Sequence, residues 1–414
     1  MRYTERVRKF IIENFTEDNI ILGVIMKNLY DVIVVGAGAA GLTAAATALK
    51  YNKRVAIFDL GSTPARKVRA SGGGNCNITN DAVKYDKYHG KNQNFVRGAL
   101  SRFTPDDVKH WASQHKLKLI QKTPGRYFCD NGADAVVAAL MNDVRGADIF
   151  LNQHIDNITK QDNLFHLGKC VGRTVVIATG GISFPTLGVS DAGYKIAKSF
   201  GHKIVPLRPA LGPLVITDWD AKLAGITVDA EIKIEKSVVR DSLLFTHSGI
   251  GGPAAYRASL YDIGNGITID LAPNTDVFEQ LKNAKQQNGK KSVSGILGEI
   301  IPDRLAKYAV QNDTRHIADI KDADLREIAK RVNEIRIPGN KIRHHGMSAA
   351  EVVRGGVDTD QISSKTMESK LCPGLFLAGE ILDIAGDLGG FNLHWAWASG
   401  FVAGINAAAV AQEF

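Results

Sequence analysis

Gly36, Gly38 and Gly41 stand in a GxGxxG spacing, and Asp59 follows Gly41 by eighteen residues. These residue types at these intervals suit the binding of a dinucleotide. Gly36 permits a tight turn, Gly38 lets a pyrophosphate approach the backbone, and Gly41 lets the next helix pack closely on a strand. Ala39 and Ala40 open that helix, whose N-terminus offers free N–H groups and a positive dipole end to phosphate. Asp59, followed by Leu60, is placed to accept hydrogen bonds from an adenosine ribose. The glycine spacing alone would fit an ordinary tight turn equally well; the flanking strands and the acid favour the dinucleotide.

A second cluster runs from Arg66 to Asn80 and contains Arg66, Lys67, Ser71, Gly72, Gly73, Gly74, Cys76 and Asn77. Three consecutive glycines lose too much entropy to sit inside a helix or strand. The segment is expected to be a rigid loop lying against a flat ligand, with its Asn and Thr side chains tying the turn to itself. Cys76 is read first as a small packed residue and second as a redox thiol. Two further glycine turns each follow an apolar run: Thr179-Gly180-Gly181 after TVVIA, and Gly379-Glu380 after LFLA. Gly389, Gly390, Phe391, Asn392 and Leu393 then open the last helix. Ile155 is taken as one more cofactor contact. A fingerprint at one end of the chain and a strand, glycine turn and helix at the other describe one long cofactor held from both ends, which suits FAD better than NAD. Reduced flavin carries negative charge near N1 and the C2 carbonyl, and a helix N-terminus at Gly390 to Leu393 would stabilise it.

The elements that position these residues follow from periodicity. Strands are expected at 31–35, 54–58, 174–178 and 374–378, and helices at 39–50, 104–115, 133–142 and 392–411, with a hairpin at 117–129. Thr104 before Pro105 makes a cap and first-turn pair. Between about 182 and 342 the pattern changes, with strands expected at 204–216, 225–235 and 266–271 and helices at 277–286, 293–300, 304–310 and 322–332. The fold class is therefore α/β: a Rossmann-like FAD-binding domain interrupted by an inserted β-barrel-like plus helical domain. The expected bounds are an N-terminal extension at 1–25, the FAD-binding domain at 26–185 and 343–414, and the insert, a substrate or cover domain, at 186–342. Met26 reads as a natural beginning, so a chain starting there is expected to keep its FAD.

The 414 residues are 44% hydrophobic and 23% charged, which excludes a disordered or collagen-like chain. The 51 Lys and Arg against 43 Asp and Glu give a net charge of +8, spread without a long basic run. Anionic ligands are favoured, and a nucleic-acid surface is not indicated. The four cysteines, Cys76, Cys129, Cys170 and Cys372, lie far apart with no CxxC, so no metal site is expected and a cytoplasmic setting fits. No apolar run is long enough to span a bilayer, and no membrane partner is expected.

The strings GAGAAG (36–41), RKVRASGGGNCNITN (66–80), ATGGISFPTLG (178–188), RPALGPL (208–214), LFTHSGIGGPA (244–254) and KTMESKLCPGLFLAGEILDIAGDLGGFN (365–392) resemble the BaiN-like flavoproteins. The resemblance covers residues 26–414 and departs from the family's commoner residues at Asn75, Gly251, Val353 and His394. It implies an NAD(P)/FAD-dependent oxidoreductase, a class that includes a dehydro-bile-acid reductase. The implied activity is reduction of a conjugated C=C or related group in a small organic substrate, with NAD(P)H visiting transiently as electron donor. The alternatives are a tRNA-modifying flavoenzyme and a non-catalytic flavin-binding redox sensor. For the proton donor, His247, Arg126, Arg208 and His394 are the candidates, each histidine read first as an ordinary structural side chain.

Overall fold

A computed structural model describes residues 28–412; the extension expected at 1–25 and the start expected at Met26 lie outside them. Contacts divide the chain into two compact units. The first comprises the described residues up to Ile182, Thr186–Pro206 and those from Gly355 onward; the second comprises Ser183–Pro185 and Leu207–Arg354.

The first unit is built on a 7-stranded sheet. Leu29–Val35 is buried from Val32 onward and pairs in parallel with Val55–Phe58 on one side and Cys170–Ile177 on the other. Asp148–Phe150 extends the sheet in parallel beyond Val55–Phe58. The far edge of Cys170–Ile177 is shared: residues 170–172 pair antiparallel with Leu164–Leu167, and 175–177 pair in parallel with Leu375–Leu377. The last strand to arrive in sequence is thus placed beside the cofactor turns of the first half. Continuous apolar runs such as VVIA mark parallel strands covered on both faces.

Two helices pack through small residues. Ala39–Leu49 crosses the long closing helix Phe391–Val410 so closely that a Cβ on Gly400 would lie 2.4 Å from Ala40 O, and one on Gly404 2.5 Å from Ala44 O. Pro105–Gln114 has the full capping box, with Thr104 Oγ1 accepting from Asp107 N–H and Asp107 accepting from Thr104 N–H. The hairpin expected at 117–129 forms from Leu119–Thr123 and Arg126–Cys129, and Asn77–Asn80 joins it as a third strand.

The inserted unit has a second 7-stranded sheet, in the order Ile335–Ile337, Ile267–Asp270, Thr227–Ile234, Ser237–Thr246, Gly249–Gly251, Leu214–Ile216, Ile342–His344. All its pairings are antiparallel. Ile232, Leu243 and Phe245 share a core with Leu325, Ile328 and Val332 of the helix Asp322–Asn333.

Three expectations need adjusting. The strand expected at 204–216 is two, Ile204–Ala210 and Leu214–Ile216, because Leu211 takes a left-handed φ of 50° and Pro213 brings no N–H to a ladder. Ser237–Thr246 is a strand the alternation did not mark; its hairpin turns on Glu235 at φ 50°, without the Asn or Gly that usually signals such a turn. By contacts the inserted unit comprises Ser183–Pro185 and Leu207–Arg354, where the sequence suggests 186–342. The helix Ala192–Ser199 belongs to the first unit because Gly193 packs on Thr179 and Ile381 there.

Candidate functional site

The first glycine turn separates what the fold requires from what a ligand would require. Gly36 sits at φ 110°, and a Cβ on it would lie 2.3 Å from Ala178 O. A Cβ on Gly41 would lie 1.8 Å from Gly36 O. Both must be glycine for the chain to pack on itself. Gly38 has an ordinary extended backbone, φ −85°, and no atom within 4 Å of where its Cβ would stand. Its absent side chain leaves open space at the N-terminus of Ala39–Leu49.

Asp59 braces this turn. Its Oδ2 accepts from Ala37 N–H at 2.7 Å, its Oδ1 from Gly61 N–H at 2.7 Å, and Arg66 Nη2 lies 3.0 Å from Oδ1. The carboxylate therefore organises the backbone in addition to any ribose contact. The Arg66 guanidinium lies between Gly61 and Gly188 and donates to the carbonyls of Leu187 and Gly188. Leu60 and Ile155 are half-buried.

The cluster at 66–80 is a helical turn, Arg66–Ala70, then three glycines with φ of 58°, 62° and 87°, then the strand Asn77–Asn80. Around Gly73 and Gly74 there is open space on the Cβ side. The Asn and Thr side chains do not tie the loop to itself, as the sequence suggested. Asn80 Oδ1 accepts from Ala82 N–H at 2.9 Å, and the other contacts reach Tyr127 and a segment some three hundred residues away. With its amide turned to satisfy its neighbours, Asn77 accepts from Gly390 N–H and donates to Tyr127 O, each at 3.2 Å. Asn80 Nδ2 donates to Gly389 O at 2.8 Å, and Thr79 Oγ1 lies 2.9 Å from His394 Nδ1. The glycine turns at 72–74 and 389–390 are thus linked through hydrogen bonds from the strand Asn77–Asn80. Lys67 Nζ lies 2.8 Å from Glu380 Oε2, a second link of the same kind.

At the far turn Gly389 and Gly390 have φ of 115° and 91°. Asn392 spends its side chain on the turn itself, accepting from Gly386 N–H at 2.7 Å and donating to Gly386 O at 2.9 Å. Only its backbone is left for a ligand. The N–H groups of Phe391, Asn392 and Leu393, in the first turn of the closing helix, have no partner among the described residues. Gly379, at φ 79°, faces Ala40, and Gly180, at φ 75°, faces open space. Gly181 is buried, and Thr179 Oγ1 is buried with no partner among the described residues.

The catalytic candidates separate clearly. His394 is fully buried, and its Nε2 lies 3.0 Å from Phe103 O. A carbonyl only accepts, so Nε2 carries the proton and Nδ1 accepts from Thr79. Burial lowers its pKa to about 4. With both nitrogens spoken for and burial favouring the neutral ring, His394 braces the strand Asn77–Asn80 against Phe103. Cys76 is likewise buried, its thiol pushed up to about 12 by burial, as suits a small packed residue. Arg126 is half-buried against the far turn: a Cβ on Gly389 would lie 2.6 Å from its Nε. No hydrogen bond or ion pair engages its guanidinium among the described residues. His247 belongs to the inserted unit, exposed in the turn after Ser237–Thr246. Arg208, in the same unit, is half-buried and helps burial hold down the pKa of His344. No group of His, Cys, Asp or Glu placed to hold a metal occurs among the described residues. None of their helices is long and apolar enough to cross a membrane.

A mostly parallel sheet with three glycine turns at its strand ends, one acid-braced at a helix N-terminus, defines a Rossmann-type dinucleotide-binding protein. The profile of the HI0933-like protein Rossmann domain matches residues 30–406, and the chain belongs to this family of FAD-binding oxidoreductases. It is 36% identical over 385 residues to a ribosomal RNA dihydrouridine synthase of Escherichia coli, covering 89% of this chain and 96% of that one. It is 35% identical over 400 residues to a protein of the same name from Haemophilus influenzae, covering 92% and 99%. A 3-dehydro-bile acid delta(4,6)-reductase of Clostridium scindens is 27% identical over 406 residues, covering 91% and 98%. The residues present fit FAD: Gly38 and Gly180 leave room for it, and the free amides of Phe391 to Leu393 suit the negative charge that reduced flavin carries near N1 and the C2 carbonyl.

Proposed function

We propose that this protein is an FAD-dependent reductase of a carbon–carbon double bond conjugated with a carbonyl, and that its substrate is a uracil base in ribosomal RNA. The supporting observation is the 35–36% identity, across nearly full length, with two ribosomal RNA dihydrouridine synthases. Forming dihydrouridine saturates the C5–C6 bond beside the C4 carbonyl, and the bile-acid relative's name describes the same kind of reaction on a steroid. That relative, at 27% identity, favours the second reading, a small enone substrate. The net charge of +8 suits the polyanion. NAD(P)H is the proposed electron donor.

Bound FAD would supply the hydride for the carbon β to the carbonyl. The chain's own residues would do the rest. Arg126, a cation without an ion-pair partner among the described residues, is proposed to face the substrate carbonyl and oppose the negative charge that gathers on its oxygen. His247 is proposed to return a proton to the α carbon. The amides of Phe391 to Leu393 would favour charge on the pyrimidine side of the flavin.

The test is mass spectrometry of nucleosides from ribosomal RNA incubated with the protein, FAD and either nicotinamide. A uridine heavier by two hydrogens supports the RNA reading. Unchanged RNA, with turnover of an added dienone, would move the assignment to the small-molecule reading.

A further inference from the structure

The three-stranded sheet of Asn77–Asn80, Arg126–Cys129 and Leu119–Thr123 has two faces of different electrostatic character. Side chains alternate between the faces of a strand, so Arg126 and Phe128 share one and Tyr127 takes the other. On the Tyr127 side the charges are closed. Its hydroxyl donates to Asp81 Oδ2 at 3.0 Å, and Lys109 Nζ lies 3.1 Å from Asp81 Oδ1 and 2.7 Å from Asp106 Oδ1. On the Phe128 side they are open. Lys122 is exposed, with its ammonium 5.4 Å from the centre of the Phe128 ring, and neither it nor Arg126 has an acidic partner among the described residues. Phe128 is only half-buried. This face borders both glycine turns: a Cβ on Gly72 would lie 3.2 Å from the Phe128 ring, and one on Gly389 2.6 Å from Arg126 Nε. Gly73 and Gly74, next along the first turn, leave open space. A neutral enone calls for one cation, at its carbonyl. A second unneutralised cation beside an accessible aromatic ring fits a nucleotide, which brings a flat base and a phosphate.

We propose that this face is the docking surface for the single-stranded RNA next to the target uracil. The neighbouring base stacks on Phe128, about 7 Å along the strand from Arg126, and Lys122 pairs with a phosphate. The inference rests on the RNA reading above. An exposed lysine on a flexible stem gives up a cation–π contact readily, and the incoming base takes its place on the ring.

The test follows the anisotropy of a labelled, uridine-containing single-stranded RNA oligomer titrated with flavin-loaded protein over a salt series. Wild type, Phe128→Leu, Phe128→Tyr and Lys122→Gln are compared, each with its Tm and visible flavin absorbance recorded. Phe128→Leu should raise the Kd about five- to a hundredfold, the worth of one stacked base, and Phe128→Tyr should restore it to within about twofold. Lys122→Gln should weaken binding and lower the slope of log Kd against log salt by about 0.7, the mark of one phosphate contact on a single strand. Lys122 is exposed, so its variant decides the matter even where Phe128→Leu fails to fold. An unchanged Kd in a folded Phe128→Leu, or an unchanged salt slope in Lys122→Gln, overturns the proposal while leaving the RNA reading in place. Wild type that binds no RNA, or that turns over a dienone and leaves uridine intact, would instead overturn the RNA reading beneath it.

Discussion

At the scale of single residues, Gly38 and His394 divide the site into ligand space and scaffold. A Cβ on Gly38 would have no other atom within 4 Å, so Gly38→Val should fold with a stability within about 1 kcal/mol of wild type. It should nevertheless purify colourless, because the branched side chain stands where a pyrophosphate must come; a yellow variant with undiminished FAD affinity would refute this. His394 titrates differently. Its folded pKa of about 4 lies below the ordinary 6.5, so the unfolded chain binds the extra proton first as pH falls. The stability it contributes is complete above about pH 6.5 and is lost as pH falls toward about 4. His394→Gln should keep FAD and its reduction by NAD(P)H, and should flatten the fall of Tm between those limits; an unchanged acid limb would contradict the burial argument. The spacing of Gly36, Gly38, Gly41 and Asp59 was legible in the sequence because all four lie within one short strand, turn, helix and strand stretch. The partners of Thr79, Asn80 and Lys67 were not, because they come from residues about three hundred positions distant, and only the sheet order brings them together.

At the scale of elements, the closing helix is the member on which the site depends. It carries the free amides, and it approaches the first helix at Gly400 and Gly404 more closely than any side chain would allow. Gly400→Ala should force the two helices apart and destabilise the protein by about 1–3 kcal/mol, read by denaturant unfolding. It should also weaken FAD, since both helix N-termini belong to the cradle. A variant as stable as wild type would mean that the crossing can relax. The sequence marked this helix and most other elements by periodicity. It missed Ser237–Thr246 because Glu235 supplies the left-handed turn without a recognisable signal, and it overran at Pro213 because the alternation on either side continues across the break.

At the scale of the whole molecule, the chain separates a cofactor-holding unit from an inserted unit that carries His247, and the two halves of the proposed reaction should separate with them. His247→Ala should leave reduction of the flavin by NAD(P)H unchanged and slow its reoxidation by the acceptor by about 10²- to 10⁴-fold, the range typical of a general acid. Equal rates of reoxidation would remove His247 from the mechanism. Anaerobic stopped-flow absorbance on the wild type, following the visible flavin bands, tests the central claim most directly. Mixing with NADH or NADPH should bleach them, and a second mixing with a uridine-containing ribosomal RNA fragment should restore them as fast as turnover requires. Bands that neither nicotinamide bleaches, or that neither the RNA nor a conjugated enone restores, would contradict the account.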